Sequence, residues 1–244
     1  MCIAVYVPKN KTIDRETLYN CYASNPDGMG FAYWDENNKL IVRKFVGQDK
    51  IMLGIEEFLQ LRDMYIKKQM LIHFRIASHG KISKNTCHPF VVNKDMVFCH
   101  NGILTDFTKE LSLSSKISDT MLFNKKVLKK LPPDFTNKPI YKKMLEDMIG
   151  SFNKMIIMES DGHHWILNED QGEWFNGIWF SNDSYKSYEY ITNSDYCSSD
   201  SDFNYDTPHV PFYKRAYNYI KKFVSKIPEM KEAIKIILED DNAY

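Results

Sequence analysis

The sequence contains no apolar run approaching the ~18–20 residues that a membrane-spanning helix requires. Its first residues also lack the charged, apolar and small-residue order of a secretory signal peptide. A cytoplasmic location with no membrane partner is therefore expected. Neither sign of charge is in excess, since 32 Lys and Arg face 32 Asp and Glu. No global field draws the chain to nucleic acid, and short clusters such as Lys125-Lys126 and Lys129-Lys130 read as a solvated helix face. The five cysteines, at 2, 21, 87, 99 and 197, are scattered, odd in number and include no Cys-x-x-Cys pair. That pattern argues against a disulfide framework and a zinc site and leaves reduced thiols as the default. Neither a glycine-rich dinucleotide turn after a strand nor a P-loop occurs, and no internal repeat of useful length is found.

What is present is enough apolar material for a substantial core: 43% of 244 residues. The chain begins with a β-branched and aromatic run, Ile3-Ala4-Val5-Tyr6-Val7, and Asp14 or Thr12 then suits the cap of a short helix through Tyr19 and Tyr22. The turn signal Asn25-Pro26-Asp27-Gly28 feeds a strand at 31–34, paired with 40–46 across a loop rich in Asn and charge. A helix opening at Asp49, a strand at 69–76 and strands at 90–92 and 96–100 follow. Ser118-Asp119 reads as a capped helix start stopped by Pro132-Pro133, and a second helix over 139–149 ends at Gly150. Four runs, 154–159, 163–167, 173–175 and 178–180, read as a meander with hairpin turns at Asp161-Gly162 and Asn176-Gly177. Mixed strands and helices with several hairpins indicate an α+β fold. The domain is expected over 1–190, with a Ser- and Asp-rich connector at 191–210 and a helical extension at 211–244 that packs on the domain or on a partner.

Chemistry enters at Cys2. Removal of Met1, which so small a second residue permits, would leave a thiol and a free α-amine on one residue. An α-amine titrates near ~7.7–8.0, so it can take the proton of the adjacent sulfur at neutral pH. A cysteine in an apolar run is also an ordinary small core residue. Three further pieces carry polar groups in a notable order: His73-Phe74-Arg75-Ile76-Ala77-Ser78-His79-Gly80, Cys99-His100-Asn101-Gly102, and Ser118-Asp119-Thr120. Taken singly, Arg75 suits a carboxylate pair, Asn101-Gly102 a hairpin turn and Asp119 a helix-start acid.

Taken together with Cys2, with Asp27-Gly28-Met29-Gly30 and with Asn85-Thr86-Cys87-His88-Pro89-Phe90, the set closely resembles the glutaminase domain of class II glutamine amidotransferases, within the N-terminal nucleophile hydrolase superfamily. The resemblance runs over roughly 2–182 and includes the closing Trp179-Phe180-Ser181-Asn182. It implies a four-layer αββα sandwich of two mostly antiparallel sheets. It also implies a cysteine-dependent amidohydrolase that cleaves the side-chain amide of glutamine, or a related γ-glutamyl amide, through a γ-glutamyl thioester.

The resemblance assigns Cys2 as nucleophile, with the Asn101 side chain and the Gly102 backbone N–H as oxyanion donors. Arg75 would grip the α-carboxylate with its planar fork, Ser78 and His79 would sit beside it, and Asp119 would hold the α-ammonium. No metal and no organic cofactor is called for. Ser78 replaces a frequent threonine and Ile76 a frequent tryptophan, the latter opening the question of strict glutamine preference. His73, His88 and His100 match family positions but read first as hydrogen-bonded core residues. Beyond about residue 190 too little chain remains for a synthase unit, so a separate ammonia-accepting synthase is an expected partner. Two alternatives stand beside this: a stand-alone hydrolase of an unusual γ-glutamyl conjugate, and a non-catalytic binding protein that retains the fold.

Overall fold

The computed structural model describes residues 2–77, 82–111 and 117–186. The expected connector and C-terminal extension lie outside the described residues, as do Ser78 and His79.

Among the described residues, ten strands form two antiparallel sheets. The first contains β1 (Ile3–Val7), β2 (Gly28–Trp34), β3 (Leu40–Phe45), β4 (Met70–Arg75), β9 (Glu173–Phe175) and β10 (Ile178–Phe180), in the order β3-β2-β4-β1-β10-β9. The second contains β5 (Phe90–Asn93), β6 (Met96–Asn101), β7 (Lys154–Glu159) and β8 (His164–Leu167), in that order. Helices α1 (Arg15–Ser24) and α2 (Gln48–Met64) belong to the first sheet's outer face. The second sheet's outer face carries α3 (Thr105–Thr108), α4 (Asp119–Lys126) and α5 (Pro139–Ile149).

Strand alternation divides the apolar residues into three cores. Ile3, Val5 and Val7 face α1 and α2, where Leu18, Ile51, Ile55 and Phe58 meet them. Ala4 and Tyr6 face the other way and join Ala32, Leu71, Val97, Cys99, Ile156 and Trp179 between the sheets. A third core sets Phe98, Met155 and Leu167 against Phe123, Tyr141 and Leu145. Three cores between four layers make the αββα sandwich. Each buried large side chain contributes roughly 1.5–3 kcal/mol, so a one-residue slip of β1, which would exchange its two faces, is heavily disfavoured.

Local chemistry sets the ends. Asp14 accepts from the Thr17 N–H at 2.7 Å and starts α1. Ser118 caps α4 through the Met121 N–H, and Gly150, at φ 77°, ends α5. The hairpin β9–β10 turns through Asn176 and Gly177, at φ 53° and 78°.

Three expectations need correction. The run from 154 to 180 is not one meander: β7 and β8 pair in the second sheet, whereas β9 and β10 extend the first. Each hairpin forms as its turn dictates, but the apolar faces of the two hairpins belong to different sheets. Helix α2 starts at Gln48 behind Gly47, not at Asp49. Helix α4 stops at Lys126, and a tighter turn over Leu128–Lys130 leads to the two prolines. Among the described residues, no helix is long and apolar enough to cross a membrane.

Candidate active site

The register of the first sheet places the nucleophile candidate. Ile3 pairs with Phe74, so one step further Cys2 stands opposite Arg75, and Arg75 in turn pairs with Gly28. Ala4 and Leu71, in phase with Cys2 and Arg75, face the space between the sheets. The Cys2 and Arg75 side chains therefore leave on that inner side, at the end of the two strands. On β6 the same alternation turns Val97 and Cys99 inward and carries Asn101 with them, while His100 points to the helical layer.

Cys2 is half-buried and donates its thiol proton to the Ile76 carbonyl, Sγ to O 3.4 Å. Its own carbonyl accepts from Asn182 Nδ2 at 2.8 Å. Burial pushes the thiol pKa above its ordinary value, and the backbone hydrogen bond at Ile76, the positive amino terminus and the Arg75 guanidinium, in that order, offset this only in part. Arg75 is buried, and its Nη1 donates to Thr86 Oγ1 at 2.7 Å. The chain leaving β4 is held by Asp27, whose carboxylate accepts from the Ala77 N–H at 2.7 Å while the Asp27 N–H donates to the Arg75 carbonyl at 2.9 Å.

Asn101 ends β6, fully buried, with Nδ2 2.8 Å from Ser181 Oγ. The same hydroxyl accepts from the Ala4 N–H at 2.9 Å, so Asn101 lies one hydroxyl away from the strand that carries Cys2. Gly102 follows at φ 139°, a conformation that side chains avoid, and leads into α3 with no hairpin at this step. A Cβ at Gly102 would lie 2.1 Å from Asn153 Oδ1. That amide is fixed, since its oxygen is 2.8 Å from His100 Nε2 and its nitrogen donates to the Ile149 carbonyl at 2.6 Å.

Asp119 opens α4 and is tied to the same segment. Its Oδ2 accepts from the Leu104 N–H and its Oδ1 from the Thr120 N–H, each at 2.8 Å. The Thr120 hydroxyl is a third, longer donor to Oδ1 at 3.3 Å, and a carboxylate with about four acceptor positions keeps capacity for a ligand cation. Thr120 Oγ1 lies 3.0 Å from His100 Nδ1 and links the acid to the imidazole under the Asn101-Gly102 step.

The three histidines are buried parts of this frame. His73 Nε2 is 3.1 Å from the His100 carbonyl and 2.8 Å from His88 Nδ1. Burial lowers all three pKa values, that of His73 to about 3, so the rings are neutral at pH 7. Gly30 allows the close approach, because a Cβ there would lie 2.0 Å from the His88 carbonyl. Among the described residues, no group of three or more His, Cys, Asp or Glu side chains is arranged to hold a metal ion.

Of the seven residues singled out from sequence, Cys2, Arg75 and Asn101 lie at one end of the inter-sheet space with Gly102 next along the chain, and Asp119 is tied to the segment after Gly102 through the Leu104 N–H. Sequence reasoning did not select Ser181, Asn153 or Asp27 as site residues. Ser181 and Asp27 sit inside quoted motifs, but only the strand register reveals what they hold.

No curated protein matches the chain. Among solved structures, a glutamine phosphoribosylpyrophosphate amidotransferase from B. subtilis, complexed with ADP and GMP, aligns at 17% identity and a TM-score of 0.46. The alignment covers 74% of this chain and 41% of that one, so the chain spans well under half of its length. The family model for class II glutamine amidotransferases matches residues 7–159. That is more than half of the sequence, and the chain belongs to the class II glutamine amidotransferases.

Proposed function

We propose that this chain hydrolyses the side-chain amide of glutamine with Cys2 as nucleophile, once Met1 has been removed. The supporting observation is the convergence of Cys2 and Arg75 on adjacent strands with Asn101 one hydroxyl away. The Cys2 thiol attacks the amide carbon while its own α-amine accepts the thiol proton. Burial keeps the sulfur protonated until then, which is why a base on the same residue is needed. Negative charge collects on the former carbonyl oxygen, where the Asn101 amide and the Gly102 N–H receive it. The ammonium returns its proton to the departing nitrogen, ammonia leaves, and a γ-glutamyl thioester remains on Cys2. Water then attacks the thioester, the amine again acting as base, and glutamate is released.

Recognition uses the opposite end of the substrate. Arg75, supported by Thr86, faces the α-carboxylate, Asp119 faces the α-ammonium, and Ser78 and His79 are assigned beside Arg75. The span from this clamp to Cys2 selects a chain of glutamine's length, and asparagine falls one methylene short. Ammonia would pass to a separate synthase, in the cytoplasm, where thiols stay reduced.

The test is ammonia and glutamate release from glutamine by the full chain and by Cys2→Ala. Hydrolysis by the first and none by the second is expected, and full activity of Cys2→Ala would end the proposal. A second reading, hydrolysis of a γ-glutamyl conjugate, is favoured by exposed isoleucines beside site residues: Ile76 at 38%, Ile103 at 44% and Ile117 at 40%. Conjugates with an apolar amine turning over faster than glutamine would select it. A chain with its fold intact and no turnover of either class would select the non-catalytic alternative.

A further inference from the structure

Asn101 and Ser181 are both fully buried, and as placed each leaves one group unmet. Ser181 Oγ receives two donors, the Ala4 N–H at 2.9 Å and Asn101 Nδ2 at 2.8 Å. A hydroxyl also carries a proton of its own, and both of these neighbours are donors. Asn101 Oδ1 meanwhile meets no donor among the described residues. Leaving such a buried acceptor unpaired is unfavourable, and native interiors rarely tolerate it.

A half-turn of the Asn101 amide about its last torsion removes both faults. It exchanges nitrogen and oxygen with almost no change of shape, so hydrogen bonding alone decides between the two settings. In the turned setting Ser181 accepts from the Ala4 N–H and donates its own proton to Asn101 Oδ1. Both amide protons of Asn101 then occupy the side where the orphan oxygen stood. The chemistry asks for the same setting, because a carbonyl oxygen facing a developing oxyanion would repel it.

We infer that Ser181 is a positioning residue for the oxyanion site: its hydroxyl fixes the Asn101 amide with the N–H₂ group toward the reacting centre. This rests on the reading of Asn101 as an oxyanion donor. The hydroxyl does a second thing at once. Ala4 lies two residues after Cys2 on β1, Ser181 follows β10 in the same sheet, and Asn101 belongs to the other sheet. One buried O–H therefore sets the oxyanion donor against the nucleophile's own strand, across the gap between the sheets.

The test is a double-mutant cycle in the full chain, with Ser181→Ala, Asn101→Ala and the pair assayed for glutamine hydrolysis. Ser181→Ala is expected to lower kcat by about 10–100-fold, within the loss caused by removing a whole oxyanion donor. KM should stay within about 3-fold of wild type, and Ser181→Ala should have no further effect in the Asn101→Ala background. Losses that multiply would show that Ser181 does not act through Asn101 and would overturn the inference.

Neutron diffraction from crystals of the deuterated wild-type chain decides the orientation without using activity. A deuteron on Ser181 Oγ directed at Asn101 Oδ1 is expected, and Asn101 Nδ2 directed at Ser181 would overturn the assignment even if Ser181→Ala fails to fold. Wild-type protein inactive on every γ-glutamyl amide but showing the expected deuteron would refute the proposed function, and with it the positioning role, leaving only the Ser181-to-Asn101 hydrogen bond.

Discussion

Replacing Gly102 by alanine tests the frame around the proposed oxyanion site in two ways at once. The backbone φ of 139° is one that only glycine adopts freely, and holding alanine there costs about 1–3 kcal/mol. The new Cβ would also stand 2.1 Å from Asn153 Oδ1 and 3.1 Å from the Asn153 Cα, so the side chain cannot simply swing aside. Moving it breaks the contact with His100 Nε2 at 2.8 Å and the bond to the Ile149 carbonyl at 2.6 Å, a further loss of about 1–3 kcal/mol for buried polar groups. Gly150→Ala is the internal control. It has φ 77° and ψ 163°, equally restricted to glycine, but nothing lies within 4 Å of its Cβ position. Gly102→Ala should therefore unfold at a lower temperature than Gly150→Ala, at about 2–4 °C per kcal/mol for a domain of this size. Its kcat should fall by about 100–1000-fold as the backbone donor moves, while Gly150→Ala stays active. Paired thermal melts and glutaminase assays give the comparison. Equal melting temperatures for the two variants, or a fully active Gly102→Ala, would refute the steric account of this step.

Arg75→Lys should raise KM for glutamine by about 10–100-fold with a smaller effect on kcat, because an ammonium cannot copy a fork that holds Thr86 and, in the proposed complex, a substrate carboxylate together. An unchanged KM would remove Arg75 from substrate recognition. Acid should destabilise the fold through the buried histidines. Their folded pKa values lie below the ordinary value of about 6.5, so as pH falls the unfolded state takes up protons first. For His73 the contribution is present above about pH 6.5 and is lost progressively as pH falls toward its folded value of about 3, by about 1.4 kcal/mol per pH unit. Denaturant unfolding at pH 7, 6 and 5 measures it, and equal stabilities would contradict the burial of neutral rings.

Much of this was legible in the letters, for physical reasons that differ by element. Asp14 and Ser118 cap their helices as local chemistry dictates, and Gly150 and the Asn176-Gly177 turn end their elements at the expected residues. The split of 154–180 between two sheets was not legible. Hairpin signals specify a pair of strands but not which apolar face that pair will cover. Nor could Gly47 be chosen over Asp49, since α2 starts without a side-chain cap.

The site divides in the same way. Residue types that carry chemistry in a motif order, Cys2, Arg75, Ser78, His79, Asn101-Gly102 and Asp119, are what the sequence offers as a proposed site, and Ser78 and His79 lie outside the described residues. Ser181 could not be selected, because a serine is informative only through what it touches, and its partners lie 177 and 80 positions away in the chain. Asn153 is similar: its role depends on the missing Cβ of Gly102 and on a His100 ring that must face away from the sheet core. The histidines, for which the structural role was the favoured reading, are neutral struts whose hydrogen bonds hold the Asn101-Gly102 step in place.

The central claim is that Cys2, freed of Met1, is the nucleophile that glutamine meets. Intact and peptide-level mass spectrometry of the full chain, before and after incubation with a glutamine-shaped diazoketone, tests it most directly. Loss of Met1 and a single adduct on Cys2, blocked by excess glutamine and absent from Asn101→Ala at matched times, is the predicted result. Retained Met1 in protein that hydrolyses glutamine at full rate, or an adduct on another residue with Cys2 untouched, would contradict it.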